Sequence, residues 1–395
     1  MSDASPVPAT PCRCLLAVLV YNGRAFVPDC LRSAAKVRDS TEGADVLVLD
    51  DCSPDPGWSD ELREFCRELD LGYYRSPQNL GIPRNMNLAL LRALHDNYDH
   101  VIIANSDLVF PKNLVQQLVA VAESDPTIGS VTTWSNSASI YSLENPGRSP
   151  RIAESDAVDW LSEVVADEFG LTAVDVPTGV GFCMLMPVVA VRRVGLFDPV
   201  FGRGYCEEVD WCLRSLALGF RVTLTPAVFV YHAGQGSTEK AGVLRLGDTT
   251  VWPNERIIDL RYPMYRSQID SYLSSEIQSQ LQERASARIV AAAARRWGYV
   301  VEASWLDRTS REDGVVHFTV EPDGRKALVC GQFLGFRTEV PLGTNEILPT
   351  LAAMVGRPPM RVTAFDRGRL ADALGEQAAL DALQFEDRSG YPERV

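Results

Sequence analysis

The chain has 395 residues, 46% of them hydrophobic and 8% aromatic, which is enough to bury a large core and predicts one main domain with a smaller one. Its formal net charge of -14 and its pI near 4.9 argue against nucleic acid or an anionic membrane surface as the main partner. No apolar run approaches the roughly 18–20 residues of a membrane span, so we expect no transmembrane segment and a cytoplasmic location, with peripheral docking at a membrane left open.

The first hundred residues alternate predicted strands and helices. Continuous apolar runs predict buried strands at 14–20, 44–49, 71–74 and 101–104. Helical patterns lie between them, at 25–37, 59–69 and 85–95, and Ser59 is expected to cap the second helix. This rhythm predicts an α/β fold with a mostly parallel sheet and right-handed crossovers.

Beyond residue 107 the pattern becomes mixed. Further helices are predicted at 114–123, 156–169, 188–194 and from about 208 to 218, and further strands at 128–133, 182–186 and 221–230. A second unit is expected to begin between residues 240 and 270. Its signals are a helical stripe of Ile269, Leu273, Ile277 and Leu281, a hairpin of strands 315–320 and 327–330, and helices at 346–355 and 369–383. The predicted organisation is a flexible tail (1–13), a main domain (14–265) with a polar insert (134–176), and a C-terminal helical or α+β domain (266–395).

Polar residues follow three of the predicted strands. They are Tyr21-Asn22, Asp50-Asp51 and Asn105-Ser106-Asp107. Ligands of parallel sheets bind beyond the carboxyl ends of the strands, so we expect these residues to share one crevice. Asp107 is the leading candidate for a metal ligand, because a divalent ion that carries a diphosphate takes oxygen ligands and few protein carboxylates. The alternative is that Asp107 only caps the helix that follows.

Other residues have both a functional and a structural interpretation. Asp50 and Asp51 suit a ribose hydroxyl or a base N–H, but Asp-Cys-Ser-Pro is also a common turn. The dense acidic cluster of Glu207, Glu208 and Asp210 could supply a general base with a raised pKa, or only complement a helix dipole.

Basic residues and cysteines complete the candidates. His232, after a strand, suits a metal or a diphosphate, although a lone histidine is more often structural. Candidate diphosphate partners are Arg84, Arg203 and Lys240. The alternative for each is a solvated position on the surface. The nine cysteines are scattered, which indicates buried reduced thiols. Cys12-Arg-Cys14 has no second pair at metal-site spacing, which argues against zinc.

Taken in order, these segments resemble the inverting family 2 glycosyltransferases, which have the nucleotide-sugar-binding GT-A fold. The resemblance covers residues 14–237 and rests on several separate blocks. They are Val18–Arg24, Leu49–Asp55, Asn79–Gly81 with Arg84–Asn87, Asn105–Asp107, Thr178-Gly179, Gly195–Asp198, Glu207–Arg214, and Tyr231-His232 with Ser237.

The resemblance implies a role for each matching residue. Tyr21, Asn22 and Asp51 would contact the nucleoside, and Asn79, Arg84, Asn105 and Ser106 would line the same donor site. Asp107 would bind Mg²⁺ or Mn²⁺, and His232 would complete the metal or phosphate site. Glu208 occupies the place of the catalytic base. The chain departs from the family pattern at two positions, with Asn105 where the metal motif begins with Asp and Glu208 where the base is Asp; Asp210 and Glu207 therefore remain alternative bases.

The resemblance implies an inverting transfer from a dTDP- or UDP-linked sugar to an acceptor hydroxyl or amine, on a small metabolite or a polysaccharide intermediate. Two other interpretations stay open: a non-catalytic sugar-nucleotide-binding or scaffold protein of the same fold, and a nucleotidyltransferase-like enzyme. The latter usually has a Gly-rich basic loop after the first strand, of which Val20–Arg24 is a poor version. For residues 270–395, an oligomer contact and an acceptor lid are alternative hypotheses.

Overall fold

The computed structural model describes residues 12–138, 140–143, 155–234, 244–245, 248–249, 251–303, 316–320, 326–331, 336–341, 347–364 and 385–387. The chain divides into two compact units. The first comprises Met1–Ser142 and Val158–Ile277, and the second comprises Leu143–Ala157 and Gln278–Val395.

The described part of the chain up to residue 297 alternates strands and helices. The strands are β1 (Cys14–Val20), β2 (Ala44–Asp50), β3 (Gly72–Arg75), β4 (His100–Asn105), β5 (Leu108–Val109), β6 (Ile128–Ser135), β7 (Val174–Asp175), β8 (Cys183–Pro187), β9 (Arg221–His232), β10 (Leu244–Arg245) and β11 (Asp248–Thr249). The helices are α1 (Val27–Ser40), α2 (Trp58–Glu68), α3 (Ile82–His95), α4 (Leu114–Glu123), α5 (Ser155–Phe169), α6 (Val188–Val194), α7 (Glu207–Ala217), α8 (Val251–Arg261), α9 (Tyr265–Leu273) and α10 (Ile277–Trp297).

Strands β1 to β9 form one mixed sheet. Its order is β3-β2-β1-β4-β8-β6-β9-β5, with β7 beside β9. Neighbours from β3 to β4 are parallel, as are β6 and β9, whereas β8 is antiparallel to both β4 and β6. The predicted α/β fold with a mostly parallel mixed sheet is therefore confirmed.

The central strands are apolar because both faces of the sheet are covered. Leu16 and Val18 of β1 are fully buried, and so are Cys30 and Leu31 on the inner face of α1. Full burial of such a side chain stabilises the fold by roughly 1.5–3 kcal/mol. This packing holds the carboxyl ends of β1, β2 and β4 side by side, where the polar residues predicted to share a crevice begin.

Two local predictions were wrong. Ser59 does not cap α2: the helix begins after Gly57 (φ 74°), and the Ser59 hydroxyl instead donates to the Asp50 carboxylate. The apolar stripe from Ile269 to Leu281 does not lie on one helix, because α9 ends at Leu273 and α10 begins at Ile277. At the break the Ser275 hydroxyl and amide both bond the Tyr272 carbonyl, and such local bonds compete with helix continuation.

The second unit contains a six-stranded sheet of order β15-β14-β13-β12-β16-β17. Its strands are β12 (Tyr299–Ala303), β13 (Val316–Val320), β14 (Lys326–Gly331), β15 (Phe336–Pro341), β16 (Arg361–Ala364) and β17 (Phe385–Asp387), with helix α11 at Ile347–Val355. The predicted hairpin is confirmed, since β13 and β14 pair antiparallel. The helix predicted at 369–383 lies outside the described residues. Among the helices described, none combines the length and the apolar character needed to cross a membrane.

Candidate active site

Strand register brings the polar strand ends together. Val20 of β1 pairs with Asp50 of β2, and Leu19 pairs with Asn105 of β4. Just beyond the strands, the Asp51 amide donates to the Val20 carbonyl at 2.8 Å. The polar residues that were expected to share a crevice therefore lie side by side at the carboxyl ends of β2, β1 and β4.

Buried Asp107 and half-buried His232 form a pair at this edge. The antiparallel pairing of β5 with β9 places Leu108 opposite His232, so that the Nε2 atom of His232 lies 3.2 Å from Oδ1 of Asp107. Asp107 is 5% exposed. Its Oδ2 atom is buried and has no hydrogen-bond partner among the described residues. An unpartnered buried carboxylate oxygen is costly unless a cation or a proton compensates it.

The surroundings of His232 fix the orientation of its ring. The Nδ1 atom lies 2.6 Å from the Ser137 carbonyl, which makes Nδ1–H the donor. The ring stacks on Phe182, with centroids 5.6 Å apart. Burial alone would lower the pKa of His232. The hydrogen bond to Asp107, the negative charge of Asp107 and the hydrogen bond to the Ser137 carbonyl together outweigh burial, so the pKa is raised.

This arrangement suits a divalent cation. With Nδ1 donating to Ser137, the 3.2 Å contact between Nε2 and the Asp107 carboxylate holds a proton when His232 is charged, which the raised pKa favours. When His232 is neutral, the two acceptors face each other and a cation can take the place of that proton. Adjacent ligands of an octahedral Mg²⁺ lie about 3 Å apart, given metal–oxygen distances of about 2.1 Å. Asp107 and His232 therefore fit a metal of this kind.

Glu207 and Glu208 begin helix α7 after a strained turn. Tyr205 and Cys206 both have φ of 73°, a conformation that non-glycine residues rarely adopt. Each glutamate has a buried Oε2 atom without a hydrogen-bond partner among the described residues. Burial raises the pKa of both carboxyls, and the charge of Glu208 adds to the rise at Glu207.

Gly181 and Phe182 link the two halves of the site. Gly181 packs beside Glu208, since a Cβ built on Gly181 would lie 3.6 Å from the Glu208 Cβ, and the neighbouring Phe182 ring stacks on His232. The Phe182 carbonyl accepts from the Asn105 amide at 2.8 Å. One dipeptide thus contacts the residues predicted as base, metal ligand and donor contact. The sequence marked Thr178-Gly179 and the strand at 182–186 but gave no sign of this bridging role.

Asp210 is engaged elsewhere. Its carboxylate is fully buried and binds Arg214 at 2.9 Å, Arg261 at 2.8 Å and the Tyr262 hydroxyl at 2.9 Å. These residues line a cavity of about 620 Å³. With both oxygens paired to cations, Asp210 anchors α7 to α8 and has no free oxygen with which to accept a proton. Of the three candidate bases, Glu207 and Glu208 are the two with an unpartnered oxygen among the described residues.

The two aspartates after β2 are held by different partners. Asp50 accepts hydrogen bonds from the Ser53 amide, the Ser59 hydroxyl and the Tyr73 hydroxyl. Asp51 accepts from the amides of Leu80 at 2.7 Å and Gly81 at 3.0 Å. Burial raises the pKa of Asp51, although these two amides oppose the rise. Asp51 thereby fastens the Asn79–Gly81 loop to the crevice.

That loop also packs on the segment before α7. Gly81 has φ of 78°, and a Cβ there would overlap the Gly202 carbonyl oxygen. The Ile82 amide donates to the Arg203 carbonyl at 3.3 Å. Only glycine satisfies both demands at position 81, so the Asp51 loop and the Glu207 segment are positioned against each other.

The remaining candidates lie around this core. The backbone amide of Asn22 donates to the Ser53 hydroxyl at 2.8 Å, and the neighbouring Tyr21 is half-buried. Asn79 is exposed, with its side chain accepting from the Gly81 amide at 3.1 Å. Asn105 is half-buried and Ser106 is buried, whereas Arg84 and Arg203 are exposed. Lys240 and Ser237 lie outside the described residues.

A buried asparagine that sequence reasoning missed supports the strained turn. The Nδ2 atom of Asn254, on α8, donates to the carbonyls of Phe201, Gly204 and Tyr205 at 2.9, 2.7 and 3.0 Å. Asn254 is 5% exposed. No local pattern indicates this contact, since about fifty residues separate the partners.

The sequence also matches a known family. Residues 16–174 match the model of glycosyl transferase family 2. This part of the chain belongs to the family 2 glycosyltransferases. Together with the sheet order described above, this membership assigns the fold to the GT-A type, as the sequence predicted.

Relatives of this family are distant in sequence. A low-salt glycan biosynthesis hexosyltransferase of Haloferax volcanii is 25% identical over 173 residues, which cover 44% of this chain and 53% of that protein. The chain therefore matches about half the length of this relative. An undecaprenyl-phosphate mannosyltransferase of Micrococcus luteus is 26% identical over 243 residues, covering 59% of this chain and 89% of that protein. A solved mannosyltransferase of Pyrobaculum calidifontis, in complex with GDP-Man and Mn²⁺, aligns with a TM-score of 0.44 and 19% identity over 74% of this chain and 78% of that one.

Proposed function

We propose that this family 2 glycosyltransferase is a metal-dependent, inverting hexosyltransferase that uses a nucleoside-diphosphate sugar. The observation that supports this most is the Gly181-Phe182 bridge. Gly181 packs beside Glu208, whose Oε2 atom is buried without a hydrogen-bond partner among the described residues, and Phe182 stacks on the ring of the Asp107–His232 pair. An acid–base group and a cation site at the edge where parallel sheets bind ligands are the two elements that glycosyl transfer needs.

The metal site in this proposal consists of Asp107 and His232. When bound there, Mg²⁺ or Mn²⁺ would neutralise the charge of the donor diphosphate as it departs. Asp107 supplies the carboxylate and His232 the imidazole, whose ring is kept in place by Ser137 and Phe182. Asn105 lies at the same strand end and offers an amide toward the phosphates, where the family more often has a second carboxylate.

The nucleoside in this proposal lies over the ends of β1 and β2. Tyr21 and Asn22 border it on one side, and the loop held by Asp51 borders it on the other. Asn79 belongs to that loop and Arg84, an exposed residue, to the helix that follows it, and both are proposed to contact the donor. A UDP- or dTDP-linked sugar is the proposed donor.

Glu208 acts as the base in this proposal. Its Oε2 atom accepts the proton of an acceptor hydroxyl while the acceptor oxygen attacks the anomeric carbon from the face opposite the diphosphate. The bond to the diphosphate breaks as the new glycosidic bond forms, so a single displacement inverts the anomeric centre. Burial raises the pKa of Glu208, which makes it a stronger base than an exposed glutamate. Glu207, at the start of the same helix, is the alternative base.

The acceptor is proposed to be a glycan intermediate or a small metabolite. The names of two relatives bear on the acceptor. One relative is named for glycan biosynthesis and the other for undecaprenyl phosphate, a lipid phosphate. We further propose the 134–176 insert as the acceptor side of the site, residues 266–395 as a separate domain, and a cytoplasmic location, with peripheral docking at a membrane left open.

Turnover of the donor tests this proposal. We expect the purified full-length chain with Mn²⁺ to release nucleoside diphosphate from one class of sugar nucleotide, slowly with water and faster with acceptor. Glu208→Gln should bind the donor and release nothing. A product with retained anomeric configuration by NMR would exclude the inverting mechanism. Donor binding without any turnover in the wild type would instead favour a non-catalytic binding protein.

A further inference from the structure

A second cluster of metal-ligating side chains lies at the opposite end of the sheet from the candidate active site. Cys12 precedes the first residue of β1, His100 is the first residue of β4, and Glu123 is the last residue of α4. The Cys12 thiol, a His100 ring nitrogen and a Glu123 carboxylate oxygen all lie within 4.8 Å of one another. The active-site residues begin where β1, β2 and β4 end, so the two sites are separated by the length of the strands.

The backbone fixes the positions of these residues. Cys14 pairs with His100 in the parallel β1–β4 ladder. The Arg13 carbonyl accepts from the amides of Asp99 and His100 at 2.8 and 3.1 Å, and the Arg13 amide donates to the Asp99 carboxylate at 2.8 Å. The segment that carries Cys12 is therefore bound to the start of β4, and the cluster is not a chance approach of a loose chain end.

The His100 side chain is buried and directed into the cluster. It is 6% exposed, and its Nδ1 atom has no hydrogen-bond partner among the described residues. Its Nε2 atom lies 3.4 Å from the Glu123 carboxylate, a long distance for a hydrogen bond. The ring therefore has a nitrogen that can bind a cation.

Cys12 is surrounded by negative charge. The Glu123 carboxylate lies within 4.8 Å of its thiol, and the Asp99 carboxylate accepts from the amide of the next residue, Arg13, at 2.8 Å. The two carboxylates, the thiol and the His100 imidazole are four groups that can each offer a ligand atom to a cation. A divalent ion would replace the thiol proton and compensate both carboxylates.

We propose that Cys12, His100 and Glu123 bind a Zn²⁺ ion, with Asp99 next to the remaining coordination position. A thiolate, an imidazole and a carboxylate form a ligand set that zinc accepts and that Mg²⁺ does not favour. Cys14 is 1% exposed within β1 and takes no part, so the site is not the Cys-x-Cys pair that the sequence argued against. The ion fastens the segment before β1 to β4 and α4.

Cobalt substitution tests the site, because Co²⁺ gives a near-ultraviolet charge-transfer band only when a thiolate binds it. Titration of the reduced full-length chain with Co²⁺ should produce this band at one equivalent, and Zn²⁺ should abolish it. Cys12→Ser should remove the band, and Glu123→Gln should weaken Co²⁺ binding by at least about tenfold. Cys52→Ser is the matched control for losing a half-buried thiol and should leave the titration unchanged.

Two comparisons keep the result decisive. Asp107→Ala should retain the band, because that residue lies at the other end of the sheet. Glu123 is exposed, so Glu123→Gln should unfold at the wild-type temperature in the presence of a chelator. A wild-type titration without the thiolate band, or a band that survives Cys12→Ser, would overturn the proposal.

Discussion

Asn254 offers a test of how the candidate base is positioned. This buried side chain bonds three carbonyls of the segment 201–205, which leads through the left-handed residues Tyr205 and Cys206 into Glu207. Such backbone conformations cost of order 1–3 kcal/mol each and persist only where the surroundings hold them. Asn254→Ala removes the donor but leaves the strain, so the turn should open more often.

The size of the effect follows from the hydrogen bonds lost. A side-chain amide has two N–H groups, so Asn254→Ala removes two donors that three buried carbonyls share. At about 1 kcal/mol net for each bond, the free energy of local opening should fall by about 2 kcal/mol. This corresponds to about 30-fold more frequent opening. Displacement of Glu208 by even part of an ångström should then lower kcat by about tenfold or more.

Hydrogen exchange measures this directly. Peptides that cover residues 199–209 should exchange about 30-fold faster in Asn254→Ala than in wild type. Arg256→Ala is the matched control, since Arg256 is an exposed residue of the same helix. Equal exchange of these peptides in the two variants, together with equal kcat, would refute the role given to Asn254.

Four further results are expected. Glu208→Gln keeps the shape of the side chain but removes the base, so kcat should fall by about 10²–10⁴-fold with donor affinity retained, and an unchanged kcat would move the base to another residue. Burial raises the pKa of Glu207 and Glu208 above the usual 4.5, so kcat/KM should fall as the pH drops through that raised pKa. A raised pKa in the folded state means that a charged Glu207 destabilises the fold. At pH values above the raised pKa, Glu207→Gln should therefore have a higher unfolding temperature than wild type, and below pH 4.5 the two should unfold at the same temperature. A difference that stays constant across pH would contradict this. Gly81→Ala should weaken nucleotide binding by at least about tenfold, because its Cβ overlaps Gly202 at a strained φ of 78°, whereas Gly170→Ala, at φ of 53° with nothing within 4 Å, should not.

The sheet and the location of the site follow from sequence patterns. Continuous apolar runs identified β1, β2 and β4, and parallel strands with crossovers must end at the same edge. The residues after Val20, Leu49 and Ala104 therefore met as predicted. Local periodicity was enough for these elements because each is buried on both faces.

Contacts between distant residues were not predictable in this way. Asp51 bonds a loop about thirty residues away, and Asp210 bonds Arg261, which is 51 residues away. Spacing indicates neither pairing, because both depend on how separate elements pack. Cys12, His100 and Glu123 have no recognisable metal-site spacing for the same reason. Ser59 was misassigned because a buried carboxylate, Asp50, attracts its hydroxyl more strongly than the start of the helix does.

The central claim is that Asp107 holds a cation on which nucleotide binding depends. Calorimetric titration with UDP, dTDP and GDP, with and without Mn²⁺, measures this for wild type, Asp107→Ala and the surface control Asp60→Ala. We predict that wild type and Asp60→Ala bind one of these nucleotides at least about tenfold more tightly with Mn²⁺, and that Asp107→Ala loses this gain. Equally tight, metal-dependent binding by Asp107→Ala, or no binding of any of the three by wild type, would contradict the account.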